Sequence, residues 1–407
     1  MCTPVKTFSL VIIFSILLGL KATAQLTSSP YSIFGMGSIE ENGFGESKAM
    51  GGTGIAFMSG HSVNFLNPAS YNGFDSLATV FELGLFGKYT SFNTINNSQG
   101  RLDASAKYIA MGFKITRKLA TSFGLASYST IGYNINVTSP VESSVLTYNK
   151  TFSGEGGVNQ LFLGSSYKIT NSLVFGINAV YLFGTITHSE SSVDYNYTLK
   201  GLTYLSNINL NYGLNYQITN GGWKYNIGLI YNNGKTLTTR DASTITTSTS
   251  AETIKSKSNI FKIPKDYGIG LAFEKDYFKV GVDYELKRWK DVEFSNPLLE
   301  TRNSNRYSLG IEIPSLGLNR GTSKMIFYRF GAEYSGSYLI IDKVPINYRS
   351  VSFGAGIPVK GDLSVINLSL ELGKNGSKQN GLFQENFCTL HIDISLKGHW
   401  FIKWKYE

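Results

Sequence analysis

Hydrophobic and polar residues alternate along most of the chain from residue 77 onward. In Ile208–Tyr216, large apolar residues take every second position, and asparagine or glycine takes the positions between them. The same period of two recurs in Val280–Leu286, Ile366–Leu372 and Leu390–Leu396. Successive side chains of a β-strand point to opposite faces, so each segment has one apolar and one polar face. The pattern predicts an all-β protein.

The spacing of these segments predicts a closed transmembrane barrel rather than a soluble sandwich. Short connections alternate with long ones such as 136–157 and 236–263, and only the stretch around Pro314–Ser323 breaks the order. Bacterial outer-membrane barrels have an even number of antiparallel strands, short periplasmic turns and longer outer loops. A sandwich has no reason to sort its loops in this way. The predicted strands are 77–91, 104–115, 121–135, 158–168, 172–187, 204–217, 223–235, 264–275, 277–290, 304–313, 325–336, 347–358, 363–373 and 386–396.

The first 24 residues have the layout of a signal peptide. Lys6 precedes an apolar stretch from Phe8 to Leu20, which is too short for a membrane span, and Ala22-Thr23-Ala24 provides a small-x-small cleavage site. An uncleaved helical anchor is the alternative. We therefore expect a mature chain that begins at Gln25, residues 77–407 as an outer-membrane barrel, and both termini in the periplasm.

The composition agrees with a barrel. Charged residues make up 16% of the chain, against about 25% in typical soluble domains. The formal net charge of +9 is spread along the sequence, which suits contact with anionic lipid headgroups and disfavours a nucleic-acid partner. Only Cys388 remains after cleavage, so no intrachain disulfide is expected.

Residues 25–76 do not alternate and are rich in glycine, serine and asparagine. A free periplasmic tail is one interpretation. The segment is nevertheless more apolar than a solvated tail, which favours a plug folded into the barrel lumen. Glycines on the inward register of the predicted strands would leave room for it, although they would equally ease the bending of a closed wall. The apolar residues of the segment are Phe34, Met36, Phe44, Met50, Phe57, Phe65 and Leu66.

Several short motifs resemble a known family. The run Met50–Ala56 followed by Asn67–Ala69 resembles the hatch signature of the FadL/TodX-type outer-membrane transporters. Ser29–Ser32, Phe34–Gly37 and Trp400–Lys403 look more narrowly like members from Bacteroidota. The resemblance implies a fourteen-stranded barrel, a hatch domain at residues 25–76, a hydrophobic ligand such as a long-chain fatty acid or hydrocarbon, and no energy source. It places the ligand and hatch candidates at Gly51, Gly52, Gly54, Phe57, Phe65, Asn67, Pro68 and Ala69.

The predicted inward positions include charged residues, which a continuous apolar tunnel would not contain. Such charges belong in a wet or ion-paired lumen, where they pair with one another or with the hatch. The predicted inward charges include Glu82, Lys88, Lys114 and Glu312. Together with them, we expect a lumen polar network of Asp283, Glu285, Lys287, Arg329, Glu333, Glu371 and Asp393.

No catalytic, metal or phosphate-binding motif is found. His391, Asp393 and Ser395 share one face of a strand, but residues two apart stand about 6.5–7 Å from each other, too far for a catalytic triad. His188 is expected in a loop and His61 in the hatch. The Ser/Thr-rich stretch Thr236–Ser258 is expected to be a mobile, low-complexity loop. We predict no enzymatic activity, no metal and no cofactor.

Three functions compete on this evidence. The leading one is passive, hatch-gated uptake of hydrophobic or amphipathic small molecules across the outer membrane. The alternative is a non-transporting FadL-like subunit of a protein export or assembly complex, since some Bacteroidota barrels of this type act in that way. An outer-membrane enzyme such as a phospholipase is disfavoured by the missing triad. The expected partners are outer-membrane lipid, a hydrophobic small molecule and other outer-membrane or secretion proteins.

Overall fold

The computed structural model describes residues 29–40, 43–141, 147–292, 300–315, 325–359 and 364–399. The predicted signal peptide at 1–24 and the aromatic residues Trp400–Lys403 lie outside these ranges, and the predicted domain boundaries stay predictions. Among the described residues, no helix is long and apolar enough to cross a membrane.

The structure confirms the closed antiparallel barrel of fourteen strands. Its last strand pairs with its first, with Ser395 opposite Glu82. β8 with β9 and β10 with β11 each form one interrupted barrel strand, β13 is a two-residue extension, and β1 lies inside the lumen against β4. The strands are β1 Ser38–Ile39, β2 Ala78–Asn93, β3 Ser98–Lys114, β4 Leu119–Pro140, β5 Thr147–Lys168, β6 Leu173–Ser192, β7 Tyr197–Asn220, β8 Trp223–Asn232, β9 Lys235–Thr247, β10 Ala251–Ile263, β11 Asp266–Lys275, β12 Phe278–Lys287, β13 Glu300–Thr301, β14 Ser304–Pro314, β15 Phe327–Ile341, β16 Val344–Pro358, β17 Val365–Gly376 and β18 Gln384–His399.

The predicted long loops are wrong in two places, where the chain continues as strand. Most of 136–157 belongs to β4 and β5, and Thr236–Ser258 forms the β9–β10 hairpin. β9 pairs with the first part of β7, from Tyr197 opposite Thr247 to Leu205 opposite Thr239. Threonine fits a pleated sheet, and the unpaired edge of the long strand β7 supplies the missing hydrogen bonds. His188 likewise lies in β6 rather than in a loop.

The two ends of the barrel differ. At the terminus end, where Ala78 pairs with His399, most strands are joined by short turns. At the distal end the wall is uneven, since β7 has 24 residues and β12 only 10. A membrane-spanning strand needs about 9–11 residues. The distal parts of β4 to β7, together with β9 and β10, therefore project beyond the membrane, and we call them the projecting sheet.

A ring of tyrosines marks where the apolar outer wall ends on the distal side. Tyr231 lies opposite both Tyr212 and Tyr267, and Tyr307 lies opposite both Tyr284 and Tyr334. Aromatic girdles of this kind seat at membrane interfaces. We call these six residues the tyrosine girdle: Tyr212, Tyr231, Tyr267, Tyr284, Tyr307 and Tyr334.

The described residues between 29 and 77 form a compact insert, which we call the lumen segment. It contains 3₁₀ helices at Pro30–Ile33 and Pro68–Gly73, strand β1, and a short α-helix at Glu46–Ala49. Side chains cap both 3₁₀ helices at their N-termini, because Ser29 accepts a hydrogen bond from Tyr31 N and Asn67 from Ala69 N. Most of its backbone bonds are local turns, so its position depends on contacts with the wall.

Candidate functional site

The lumen segment is buried among the inward side chains of the barrel. Its apolar residues pack on one another and on the wall, as in the stack of Phe44 on Tyr108 at 3.8 Å between ring centroids. Phe65 contacts Phe44 on one side and Phe162 of β5 on the other. Ile55 and Tyr71 have no exposed surface. The barrel therefore holds a packed core rather than an open pore along this level.

A belt of wall glycines receives the backbone of the lumen segment. A Cβ atom on Gly331 would collide with the amide of Gly51, and one on Gly228 with the carbonyl of Ile55. The belt is continuous across neighbouring strands where its members pair, as Gly310 does with Gly331. Close approach explains these glycines better than wall bending does. The wall glycines that contact the segment include Gly112, Gly164, Gly176, Gly213, Gly228, Gly268, Gly270, Gly281, Gly310, Gly331 and Gly354.

The Asn67-Pro68-Ala69 motif locks one part of the segment to β6 and β7. The Asn67 amide donates to Ile55 O at 2.7 Å and to Leu214 O at 3.1 Å, and its oxygen accepts from Ala69 N at 3.0 Å. Asn67 is fully buried, and its bonds reach one wall strand and two parts of the segment. Pro68 packs against Gly213. The motif thus attaches the lumen segment to the barrel wall.

Arg306 of β14 joins the wall to the Gly51-Gly52 turn. Its guanidinium pairs with Glu285 of β12 and with Glu333 of β15, the latter at 3.1 Å, and donates to Gly51 O at 3.3 Å. The side chain is 4% exposed. Gly51 and Gly52 have positive φ values of 63° and 73°, a region that favours glycine. This cluster compensates two buried carboxylates and fixes the turn.

A second cluster ties Glu46 of the lumen segment to the wall. Glu46 lies 3.3 Å from Arg329 and 3.8 Å from Lys279, and it accepts a hydrogen bond from Ser62 at 2.9 Å. Arg329 also bonds Glu312 at 2.5 Å. Burial alone would raise the pKa of the Glu46 carboxyl, but Lys279 and Arg329 outweigh burial and lower it to about 2. Glu46 is therefore charged and paired at neutral pH.

Asp283 of β12 anchors the Gly54-Ile55 backbone. Its Oδ2 accepts from Gly54 N at 2.7 Å and from Ile55 N at 2.9 Å. Thr53 adds a hydrogen bond to Ser308 at 3.0 Å. A carboxylate that accepts two backbone amides is a strong anchor. The predicted inward charge at Asp283 thus contacts the predicted hatch residue Gly54 directly.

An apolar cluster, which we call the apolar cap, lies at the distal mouth. Trp289 stacks on Tyr338 at 4.2 Å, and both belong to the same buried cluster as Tyr31 and Phe261. Tyr31 OH bonds Phe383 O, which pins the 3₁₀ helix Pro30–Ile33 to the chain just before β18. The apolar cap lies on the distal side of the lumen segment, and residues of both line the larger cavity.

Two cavities within the lumen lie between the wall and the lumen segment. The larger, of about 260 Å³, mixes aromatic rings with charged groups, among them Lys88, Lys287 and Glu371. The smaller, of about 80 Å³, lies near Phe65 and Leu66. Neither lining is a continuous apolar surface, because charged or amide side chains interrupt both.

The residues rejected as a catalytic triad make separate contacts. His391 lies 3.4 Å from Glu371, Asp393 accepts from Tyr108 at 2.7 Å, and Ser395 donates to Glu82. Tyr108 in turn accepts from Gly45 N at 2.8 Å. These polar groups support the lumen segment and show no nucleophile–base pairing. Among the described residues, no cluster of His, Cys, Asp or Glu is placed to hold a metal.

Lys397 of β18 links the lumen segment to the wall at the terminus end. Lys397 of β18 bonds Asp75 and lies 3.3 Å from His61 Nδ1. His61 thus lies in the lumen segment, beside Lys397 of the wall.

Sequence reasoning placed part of the contacting residues and missed others, among them Arg306, Lys279 and Glu46. Arg306 and Lys279 were not among the predicted inward charges, and Glu46 lies in a segment without periodicity. The register offered a signal for Arg306, since it stands opposite Glu285 and two residues from Ser308. No pattern in the sequence marks Glu46.

Comparison with solved structures supports the same architecture. The CymD monoaromatic hydrocarbon channel has a TM-score of 0.58 at 16% identity, over 90% of this chain and all of that chain. The P. putida toluene transporter TodX gives 0.61 at 16% identity, over 89% and 100%. A Pseudomonas aeruginosa FadL homologue gives 0.60 at 10% identity, over 89% and 99%. At these identities the likeness shows the fold, which is that of FadL-type outer-membrane barrels.

No curated protein matches the chain. One family model does, over residues 5–407, and its description is BamG. That match covers nearly the whole sequence and bears a name distinct from those of the solved transporters. With a FadL-type barrel and a lumen segment fastened inside it, the chain belongs to the BamG family.

Proposed function

We propose that this protein is a sealed, non-transporting barrel subunit of an outer-membrane protein assembly or export complex. The observation that carries the proposal is the fastening of the lumen segment, which buried charges hold on several sides. Arg306 bonds Gly51 O, Arg329 pairs with Glu46, and Asp283 accepts from Gly54 N. Freeing the segment would break the Arg329–Glu46 ion pair, at a cost of roughly 3–5 kcal/mol. It would also remove the backbone partners of Arg306 and Asp283, at about 1.5–3 kcal/mol for each hydrogen bond to a charged group. A gate that opens in each transport event would not be built in this way.

The shape of the barrel supports the same proposal. The projecting sheet offers a large folded surface outside the membrane, where lipid does not cover it. The apolar cap, which includes Trp289 and Tyr338, fills part of the lumen on that side. A barrel that is closed inside and extended outside suits protein contact better than passage of a solute.

A second candidate is uptake of hydrophobic compounds, and the barrel fold favours it. The solved structures with this fold include proteins described as a monoaromatic hydrocarbon channel and a toluene transporter. Phe65 and Leu66 border the smaller cavity and would contact a hydrophobic ligand there. Under this candidate, Phe65→Ala lowers uptake of toluene into proteoliposomes and leaves the barrel intact.

The deciding experiment is the mass of the gently solubilised native protein. We expect a large stable complex from the native membrane. As a variant, we would replace residues 236–262 with a tight turn, which removes the β9–β10 hairpin and leaves the membrane-level strands unchanged. The variant should insert normally and lose the complex. As a matched control, Phe65→Ala should keep it.

A lone wild-type barrel with bound lipid, together with Phe65-dependent uptake of toluene, would favour the second candidate instead. Loss of the complex in the Phe65→Ala control, with an intact β9–β10 hairpin, would point to the lumen rather than the projecting sheet.

A further inference from the structure

The apolar outer face of β16 and β17 ends distally in two cations. On β16 the outward positions run from Phe353 through Val351 to Arg349, and Phe353 and Val351 are 46% and 44% exposed. On β17 they run through Leu372, 41% exposed, to Lys374. Arg349 and Lys374 are both exposed. The two strands therefore exchange apolar for cationic side chains at the same level.

The two cations stand directly opposite each other in the sheet. Arg349 pairs with Lys374 across the β16–β17 ladder, and Tyr334 of the tyrosine girdle pairs with Arg349 on its other side. Opposite residues of an antiparallel pair have Cβ atoms about 4.5–5.5 Å apart, and like charges there are destabilising. An anion bound between them would turn this repulsion into attraction.

A third cation lies on the same outer face, one step further out. Arg302 donates from Nε to Ser337 O at 2.9 Å, and from Nη2 to Ile346 O at 2.9 Å and Asn347 Oδ1 at 2.5 Å. Asn347 pairs with Gly336. Gly336 is two residues from Tyr334, and Asn347 is two residues from Arg349, so both lie on the outward face. Neutral acceptors thus hold the guanidinium in place and leave its charge uncompensated.

None of these three cations forms an ion pair within the described part of the chain. The lumen differs, since Arg306 and Arg329 each pair there with two carboxylates. A cluster of three cations at the membrane boundary without a carboxylate has the chemistry of a phosphate site, because guanidinium and ammonium groups form charge-assisted hydrogen bonds to phosphate oxygens.

We propose that Arg302, Arg349 and Lys374 bind the phosphate group of a lipid in the distal leaflet, with its acyl chains along Val351 and Leu372. The level fits, because the tyrosine girdle places Arg349 at the headgroup boundary. This site is on the outer wall, so it does not depend on whether the lumen transports a solute.

The test titrates the full-length protein in neutral detergent with phosphatidic acid and with phosphatidylcholine, and reads lipid retention by native mass spectrometry. Each basic residue near a membrane surface contributes about 1 kcal/mol, or roughly fivefold in affinity. We expect Arg349→Gln/Lys374→Gln to weaken phosphatidic acid binding by that factor for each charge removed. The charge-preserving exchange Arg349→Lys/Lys374→Arg should retain most of the affinity and shows that the strands still fold.

The matched control is Arg117→Gln/Lys118→Gln, which removes the same charge from an exposed turn at the terminus end. It should leave binding unchanged. Equal losses in the control, or an unchanged affinity in the double variant, would refute the site. If inorganic phosphate at millimolar concentration displaces the lipid completely, the cations bind free phosphate and the lipid assignment is wrong.

Discussion

Replacing Arg306 with methionine tests whether the lumen segment is permanently fastened. The change keeps most of the side-chain volume and removes the cation that faces Glu285 and Glu333 and the donor that bonds Gly51 O. Two carboxylates would remain buried without compensation. Breaking a buried pair in this way costs about 3–5 kcal/mol, and the lost bond to Gly51 about 1 kcal/mol more.

The assay is the loss of folded mobility on gels after a fixed heating time, because barrels of this kind unfold irreversibly and the measurement is then comparative. At about 2 °C for each kcal/mol, the lower estimate gives a fall of roughly 6 °C in the midpoint. Trypsin provides a second readout, since Lys48 is only 9% exposed in the seated segment. Cleavage there should become fast in the variant.

The triple variant Arg306→Met/Glu285→Gln/Glu333→Gln is the control. It removes the stranded charges along with the cation, so most of the lost stability should return. If Arg306→Met melts like the wild type, or if the triple variant is no better than the single one, the charge cluster does not fasten the segment and the proposal of a sealed barrel loses its basis.

Three further predictions follow from the packing and the charges. Gly331→Leu should displace the lumen segment and raise ion conductance in planar bilayers. Gly87→Leu, at a site where an added Cβ would have nothing within 4 Å, should not. Equal conductance of the two variants would show that contact with the wall glycines does not hold the segment. Leu210 lies on the outer wall with a side chain that is 39% exposed, so Leu210→Arg should cost about 2–4 kcal/mol and block folding into liposomes. Asn211→Arg, on the inward face, should still fold. If both variants folded equally well, the assignment of inward and outward faces would be wrong. Because Glu46 has a lowered pKa, its contribution to seating the segment is complete above the ordinary value of 4.5 and is lost as the pH falls towards 2. Pepsin should therefore cleave the segment increasingly over that acid range, and Glu46→Gln should weaken this pH dependence, while the Glu40–Lys107 pair maintains part of it.

The strands at membrane level were predictable because their residues obey a local rule. Alternation at Ile208–Tyr216 fixes which side chains meet lipid, whatever lies in the lumen, so register and strand number follow from period and spacing. The structure of the distal ends could not be predicted from the sequence, since Thr236–Ser258 shows no strong alternation. It became a hairpin because β7 extends beyond the membrane and leaves an edge to be paired.

The lumen was only partly determined by the sequence. Inward glycines and charges were visible as a pattern, but two explanations fitted the glycines, and nothing local connects Gly331 with Gly51 or Arg329 with Glu46. Those pairs are joined only when fourteen strands close and the segment folds back inside. The sequence by itself determined a barrel with a polar interior. The tertiary structure decided that this interior is a fastened core, because charge compensation and close backbone contact depend on which distant residues are brought together.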